Sequence, residues 1–129
     1  TPNKNERDMG FFVKYGDGGA DINPIGHLFK SQVFQLARYL DVPVEIQQRP
    51  PTTDTYSAGS TQEEFFYRIP FEILDRVWLG YERDVPREEI AAALSLSEDQ
   101  VGRVIADIAR KRRATDYLRA HPINLDPAE

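Results

Sequence analysis

The sequence predicts a mostly helical chain with a single strand candidate. Three observations lead there: apolar stripes at helical spacing, two capping-box patterns of the Ser/Thr-x-x-Glu/Gln type, and prolines placed where helices begin. At 129 residues the chain makes at most one domain, long enough to bury a real core.

The first residues, "TPNKNERD", are polar and make a poor opening for an independent domain, so the chain reads as a segment of something longer. Next comes "VKYGDGGAD", with three glycines and two aspartates in residues 16–21. Glycine lets a backbone take positive φ or approach another group closely. Carboxylates in such a segment can hold a metal or accept bonds from a sugar; equally, the segment can be a polar surface turn.

Asn23-Pro24 opens the first predicted helix, as N-cap and first helical residue. Its stripe is Ile25, Leu28, Phe29, Val33, Leu36, Ala37 and Leu40, with Lys30, Ser31 and Gln35 off it. Residues 42–46, "VPVEI", are the strand candidate. Residues 48–61, rich in Pro, Thr, Ser and Gly, read as a loop, long enough to be functional or mobile. Thr61 to Glu64 has capping-box spacing, so a short helical turn is expected before Pro70. Pro70 starts a helix with Ile73, Leu74, Val77, Trp78 and Tyr81 as its core stripe, and Pro86 starts another with Ile90, Ala91 and Leu94 inward. Ser97 to Gln100 forms the second capping box, followed by a clean face of Val101, Val104, Ile105 and Ile108. The helix leads into the basic run Arg110, Lys111, Arg112, Arg113, and beyond Ala114 the chain reads as irregular.

Composition removes several function classes. There is no cysteine, hence no disulfide, thiolate zinc site or cysteine nucleophile, and His27 and His121 are not at metal-ligand spacing. No stretch is long or apolar enough to span a membrane. The chain is read as soluble and cytoplasmic. A net charge of −5 argues against a protein whose main work is gripping nucleic acid. The compact basic run suits a small anionic ligand or a partner carboxylate, or else a solvated helix end favoured by the helix dipole. One alternative reading persists: residues 87–114 have the outline of a helix-turn-helix, a nucleic-acid-binding module. Against it, Glu98, Asp99 and Gln100 would sit where base and phosphate contacts are needed.

The string "NKNERDMGFFVKYGDGGADINPIGHLFKSQV", then "RPPTTD", then "KRR", resembles the ammonia-handling synthetase domain of NAD synthetases. The match follows the family's order through residues 3–54 and more loosely to about residue 113. The resemblance implies a Rossmann-like α/β fold of the adenine-nucleotide α-hydrolase type, usually a homodimer. It also implies that ATP and magnesium are used to convert nicotinic acid adenine dinucleotide (deamido-NAD) and ammonia into NAD through an adenylate. Ammonia would arrive free or from a glutaminase domain. By position, Glu6 matches a magnesium carboxylate and Lys30 the lysine that meets ATP phosphates. Thr52 matches the hydroxyl residue of a second phosphate loop. Asp17 and Asp21 match acidic positions near the dinucleotide, with Lys14 and Lys111 as further substrate contacts. Lys30 and Asp17 are the catalytic candidates. The glycines would let the backbone run close to the substrate while Asp17 points at it.

The sequence departs from the family pattern in places. Val13 stands where threonine is usual, Thr53 and Thr55 flank Asp54 in the second phosphate loop, and Arg110 replaces a histidine seen in some members. The family's Ser-Gly-Gly-x-Asp-Ser loop is absent from these residues. On this resemblance, residues 1–129 are the mostly helical C-terminal half of one synthetase domain, unable to complete an ATP site alone. A non-catalytic relative that keeps the fold is the remaining alternative.

Overall fold

A computed structural model describes residues 1–52 and 60–123. Seven α-helices follow one another among them: α1 (Lys4–Met9), α2 (Lys30–Tyr39), α3 (Val44–Gln47), α4 (Phe71–Glu82), α5 (Arg87–Leu94), α6 (Glu98–Ala114) and α7 (Asp116–Arg119). A short 3-10 turn spans Asp17–Gly19, and a π-helical turn spans Glu63–Tyr67. The extended pairing among the described residues is an isolated antiparallel bridge between Thr52 and Thr61.

Helices α4 and α6 organise the packing because each carries apolar residues on two sides. Leu74 and Trp78 of α4 and Ile108 of α6 join Met9, Phe29, Tyr67 and Phe71 in one core cluster. Val77 of α4 and Val101 and Ile105 of α6 join Ile90 and Ala91 of α5 in a second, and Val104 packs against both. Burying side chains of this kind is worth about 1.5–3 kcal/mol each. The helix-turn-helix outline is therefore the α5–α6 pair, with its apolar faces turned into the second cluster. Ser95 makes the turn with a left-handed backbone (φ 54°), and the Ser97–Gln100 capping box forms as the spacing predicts.

Several expectations are corrected. The first long helix begins at Lys30, seven residues after Asn23. Residues 24–27 make only a turn, held by bonds such as Gly26 N–H to Asn23 O, and Gly26 is a poor helix former. Its predicted stripe is only partly inward, since Phe29 is buried but Leu36 and Leu40 are exposed. The strand candidate at 42–46 is helical: Pro43 serves as N-cap of α3. A short apolar run cannot distinguish the two states by pattern alone. Gln62, not Thr61, stands at the N-cap position of the π-helical turn and makes no side-chain capping bond there, and the Glu63 carboxylate accepts the Phe71 N–H at 2.7 Å. Tyr81 is exposed, unlike the rest of its stripe. The segment after Ala114 contains α7, whose Arg119 donates to the backbone oxygens of Arg7 and Asp8 and so ties it to α1. Residues Thr53, Asp54 and Thr55 lie outside the described residues.

Candidate functional site

Helix α1 starts with a capping box that the sequence reading overlooked. Glu6 N–H donates to Asn3 Oδ1 at 3.1 Å, and Asn3 N–H donates to Glu6 Oε2 at 3.0 Å. Gly10 ends the helix in a left-handed conformation (φ 78°), where a Cβ would fall 2.3 Å from Thr115. Glu6 is thus held by one oxygen, and its other oxygen, Oε1, lies 3.3 Å from Lys30 Nζ. The pair is mostly shielded, with side-chain exposures of 16% and 17%. Lys30 Nζ also lies 6.0 Å from the Phe71 ring centre.

Lys30 is the first residue of α2. Its N-cap, Phe29, has no acceptor on its side chain, although the first N–H groups of a helix need one. Acceptors come from two other helices. Lys30 N–H donates to Asn5 Oδ1 at 2.9 Å, and Ser31 N–H donates to Asp75 Oδ2 at 2.8 Å. Asn5 Nδ2 in turn donates to Asp75 Oδ1 at 2.5 Å. Both side chains are buried. Burial pushes the Asp75 carboxyl above its ordinary value, although the bonds from Asn5 and Ser31 and the Lys30 charge oppose the shift.

Two further groups complete the junction. Lys4 pairs with Asp8 at 3.2 Å and Glu82 at 2.9 Å, its ammonium 5.4–5.5 Å from the Phe29 and Trp78 ring centres. Burial raises the Asp8 carboxyl, but the Arg7 hydrogen bond and the Lys4 and Arg7 charges outweigh it and hold the group below its ordinary value. The buried Tyr67 hydroxyl has no hydrogen-bond partner among the described residues. Burial drives its ionisation upward, helped by the Glu6 and Asp75 charges. A cleft of about 660 Å³ adjoins the junction, bounded by Ser31, Phe71 and Asp75 on one side and by Pro50 and Pro51 on the other. The segment leading to Thr52, which is itself exposed, flanks the same opening.

The other predicted residues stand elsewhere. Asp17 Oδ1 accepts the Val13 N–H at 2.7 Å, and Gly18 is required because a Cβ there would fall 2.6 Å from the Phe12 ring. Among the described glycines only Gly10 has positive φ, so the glycine-rich turn uses close approach rather than left-handed backbone. Asp21 is exposed. Lys14 Nζ donates to Tyr117 O at 2.8 Å, docking its loop on α7. Lys111 Nζ pairs with Asp107 at 2.7 Å, donates to Phe66 O at 2.6 Å and sits 4.4 Å from the Phe66 ring centre. The predicted residues that the fold brings into direct contact are Glu6 and Lys30. Asn5, Asp75 and Tyr67 were missed; an aspartate between Leu74 and Val77 on a core stripe was the available sign of the second.

Among the described residues no group of three or more His, Cys, Asp or Glu could hold a metal. A single carboxylate still suits magnesium, which keeps water and takes most of its remaining oxygens from substrate phosphates. No helix among them is long and apolar enough to cross a membrane.

Fold and site define a helical module that sets a lysine at a helix start against an oriented carboxylate. The chain matches the NAD synthase family model over residues 1–121 and belongs to that family. It is 51% identical to the NH(3)-dependent NAD(+) synthetase of Rhizobium meliloti over 129 residues, all of this chain and 39% of that protein. It is 36% identical to the NH(3)-dependent NAD(+) synthetase of Methanocaldococcus jannaschii over 122 residues, 95% of this chain and 46% of that protein. Among solved structures it is similar to an NMN synthetase from Francisella tularensis, with a TM-score of 0.69 and 26% identity, covering 98% of this chain and 45% of that one. The chain thus spans less than half the length of these relatives.

Proposed function

We propose that these residues serve the ATP-dependent amidation of deamido-NAD by ammonia, giving NAD. The observation that carries this reading is the Lys30–Glu6 pair at the start of α2, inside the segment shared with the family. An aromatic carboxylate is a poor electrophile. Its oxygen attacks the α-phosphorus of ATP, the bond to pyrophosphate breaks, and an adenylate with a good leaving group results. Ammonia then attacks the carbonyl carbon; AMP departs with the bonding electrons, and a proton is lost to give the amide.

Negative charge collects on the α-phosphate and on pyrophosphate in the first step. Lys30 neutralises it by exchanging the Glu6 oxygen for a phosphate oxygen. Glu6, still oriented by Asn3, would then hold the magnesium that accompanies ATP, whose contribution is charge neutralisation on the phosphates. Thr52 would offer its hydroxyl from the loop flanking the cleft. Asp17, Asp21, Lys14 and Lys111 belong to the dinucleotide side of this reading, Lys111 after release from Asp107 and Phe66 O. The wider fold would be Rossmann-like, and the enzyme a cytoplasmic homodimer taking ammonia free or from a glutaminase domain.

The test is a magnesium titration of the amidation rate in the whole protein carrying Glu6→Gln. Glutamine keeps an acceptor for Asn3 but loses the charge. Turnover should fall by about 10²-fold, with half-saturation moved to higher magnesium. Unchanged turnover and magnesium dependence would remove Glu6 from the reading.

A further inference from the structure

We propose that Asn5 and Asp75 form a buried positioning clamp that fixes Lys30 and Glu6 relative to each other. The clamp is a chain of three hydrogen bonds: Lys30 N–H to Asn5 Oδ1, Asn5 Nδ2 to Asp75 Oδ1, and Ser31 N–H to Asp75 Oδ2. It joins α1, α2 and α4 across sequence separations of 25, 70 and 44 residues. Asn5 precedes Glu6 on α1, so the side chain that caps the Lys30 backbone, buried and bonded through both ends of its amide, springs from the residue next to Glu6. The Lys30–Glu6 contact itself, at 3.3 Å between flexible side chains, cannot set that register. It has to open for either group to meet a ligand, while the clamp, whose Ser31 and Asp75 form part of the wall of the adjoining cleft, is made of backbone N–H groups and buried side chains that need not move.

The polarity of the clamp admits one arrangement. Asn5 must turn its oxygen to the Lys30 N–H and its amide nitrogen to Asp75. Asp75 must accept on both oxygens. In Asp75→Asn, one amide group meets either the Asn5 amide or the Ser31 N–H, and a buried donor is left unpaired. In Asn5→Asp, two carboxylates face each other. In the double variant Asn5→Asp/Asp75→Asn the roles are exchanged. The carboxylate at position 5 accepts from Lys30 N–H and from the side-chain amide at position 75, whose oxygen accepts from Ser31 N–H. All three bonds return and the net charge is unchanged.

The activity consequence rests on the function proposed above; the clamp has a readout of its own. In the whole protein, amide hydrogen exchange at Lys30 and Ser31, the melting temperature, and the KM for ATP and kcat are compared in the wild type, Asp75→Asn and the double variant. Asp75→Asn should lose about tenfold protection at both amides and raise the KM for ATP about tenfold, with a smaller change in kcat. The double variant should recover both to within about threefold. Wild-type protection or wild-type KM in Asp75→Asn overturns the proposal, as does a folded double variant that recovers neither. If Asp75→Asn does not fold, a double variant that folds with near-normal values supports the clamp, and one that also fails to fold overturns it. A wild-type protein that shows the protection but no amidation removes the proposed function and leaves the clamp decided by exchange.

Discussion

Glu6 does two things at once. One oxygen caps its own helix and the other faces Lys30, so an exposed-looking acidic residue in a polar leader becomes an oriented carboxylate. Its neighbour Asp8 gives a pH prediction. Its folded pKa lies below the ordinary value of 3.8, so the stability it adds is fully present above that value and is lost as pH falls through the folded one. Asp8→Asn should therefore flatten the loss of stability below about pH 4. Urea unfolding across that range checks this; equal slopes in both proteins would remove Asp8 from the acid transition. Asp75 has the opposite sign, because its carboxyl is raised. Glu6 and Lys30 were legible because a family string sets them in order. Asn5 and Asp75 were not, since their value arises only when residues 70 apart in sequence meet.

Elements whose ends are decided locally were the readable ones. The Ser97–Gln100 box, the helix after Pro70 and the helix after Pro86 all stand where spacing and capping chemistry put them. Ser97→Ala removes a side-chain acceptor from the Gln100 N–H and should cost about 1 kcal/mol of stability. Thermal unfolding of that variant measures it, and no change would mean that α6 is held by packing alone. Helix α2 fails the local rule for a physical reason. Its Lys30 and Ser31 N–H groups are capped from α1 and α4, and the local contribution is Gln32 accepting the Phe29 N–H, so the sequence around Asn23 and Pro24 could not mark its start. Helix α3 is four residues long, too short for its apolar residues to declare a period.

At the scale of the molecule, α4 and α6 divide the core into two clusters, and the candidate site lies at the edge of the one built on Trp78. The helix-turn-helix outline is a packing unit of the other cluster, with exposed Glu98 and Asp99 in the first turn of α6. Most of this layout was visible as stripes on the predicted helices. The junction of α1, α2 and α4 was not, because it is made of buried polar groups rather than apolar ones. The most direct measurement is steady-state amidation of deamido-NAD with ATP and ammonia by the whole protein, wild type beside Lys30→Ala. Activity in the wild type and a loss of kcat/KM of about 10²-fold or more in the variant, with folding intact, is the expected result. A folded Lys30→Ala protein that amidates at the wild-type rate would contradict it.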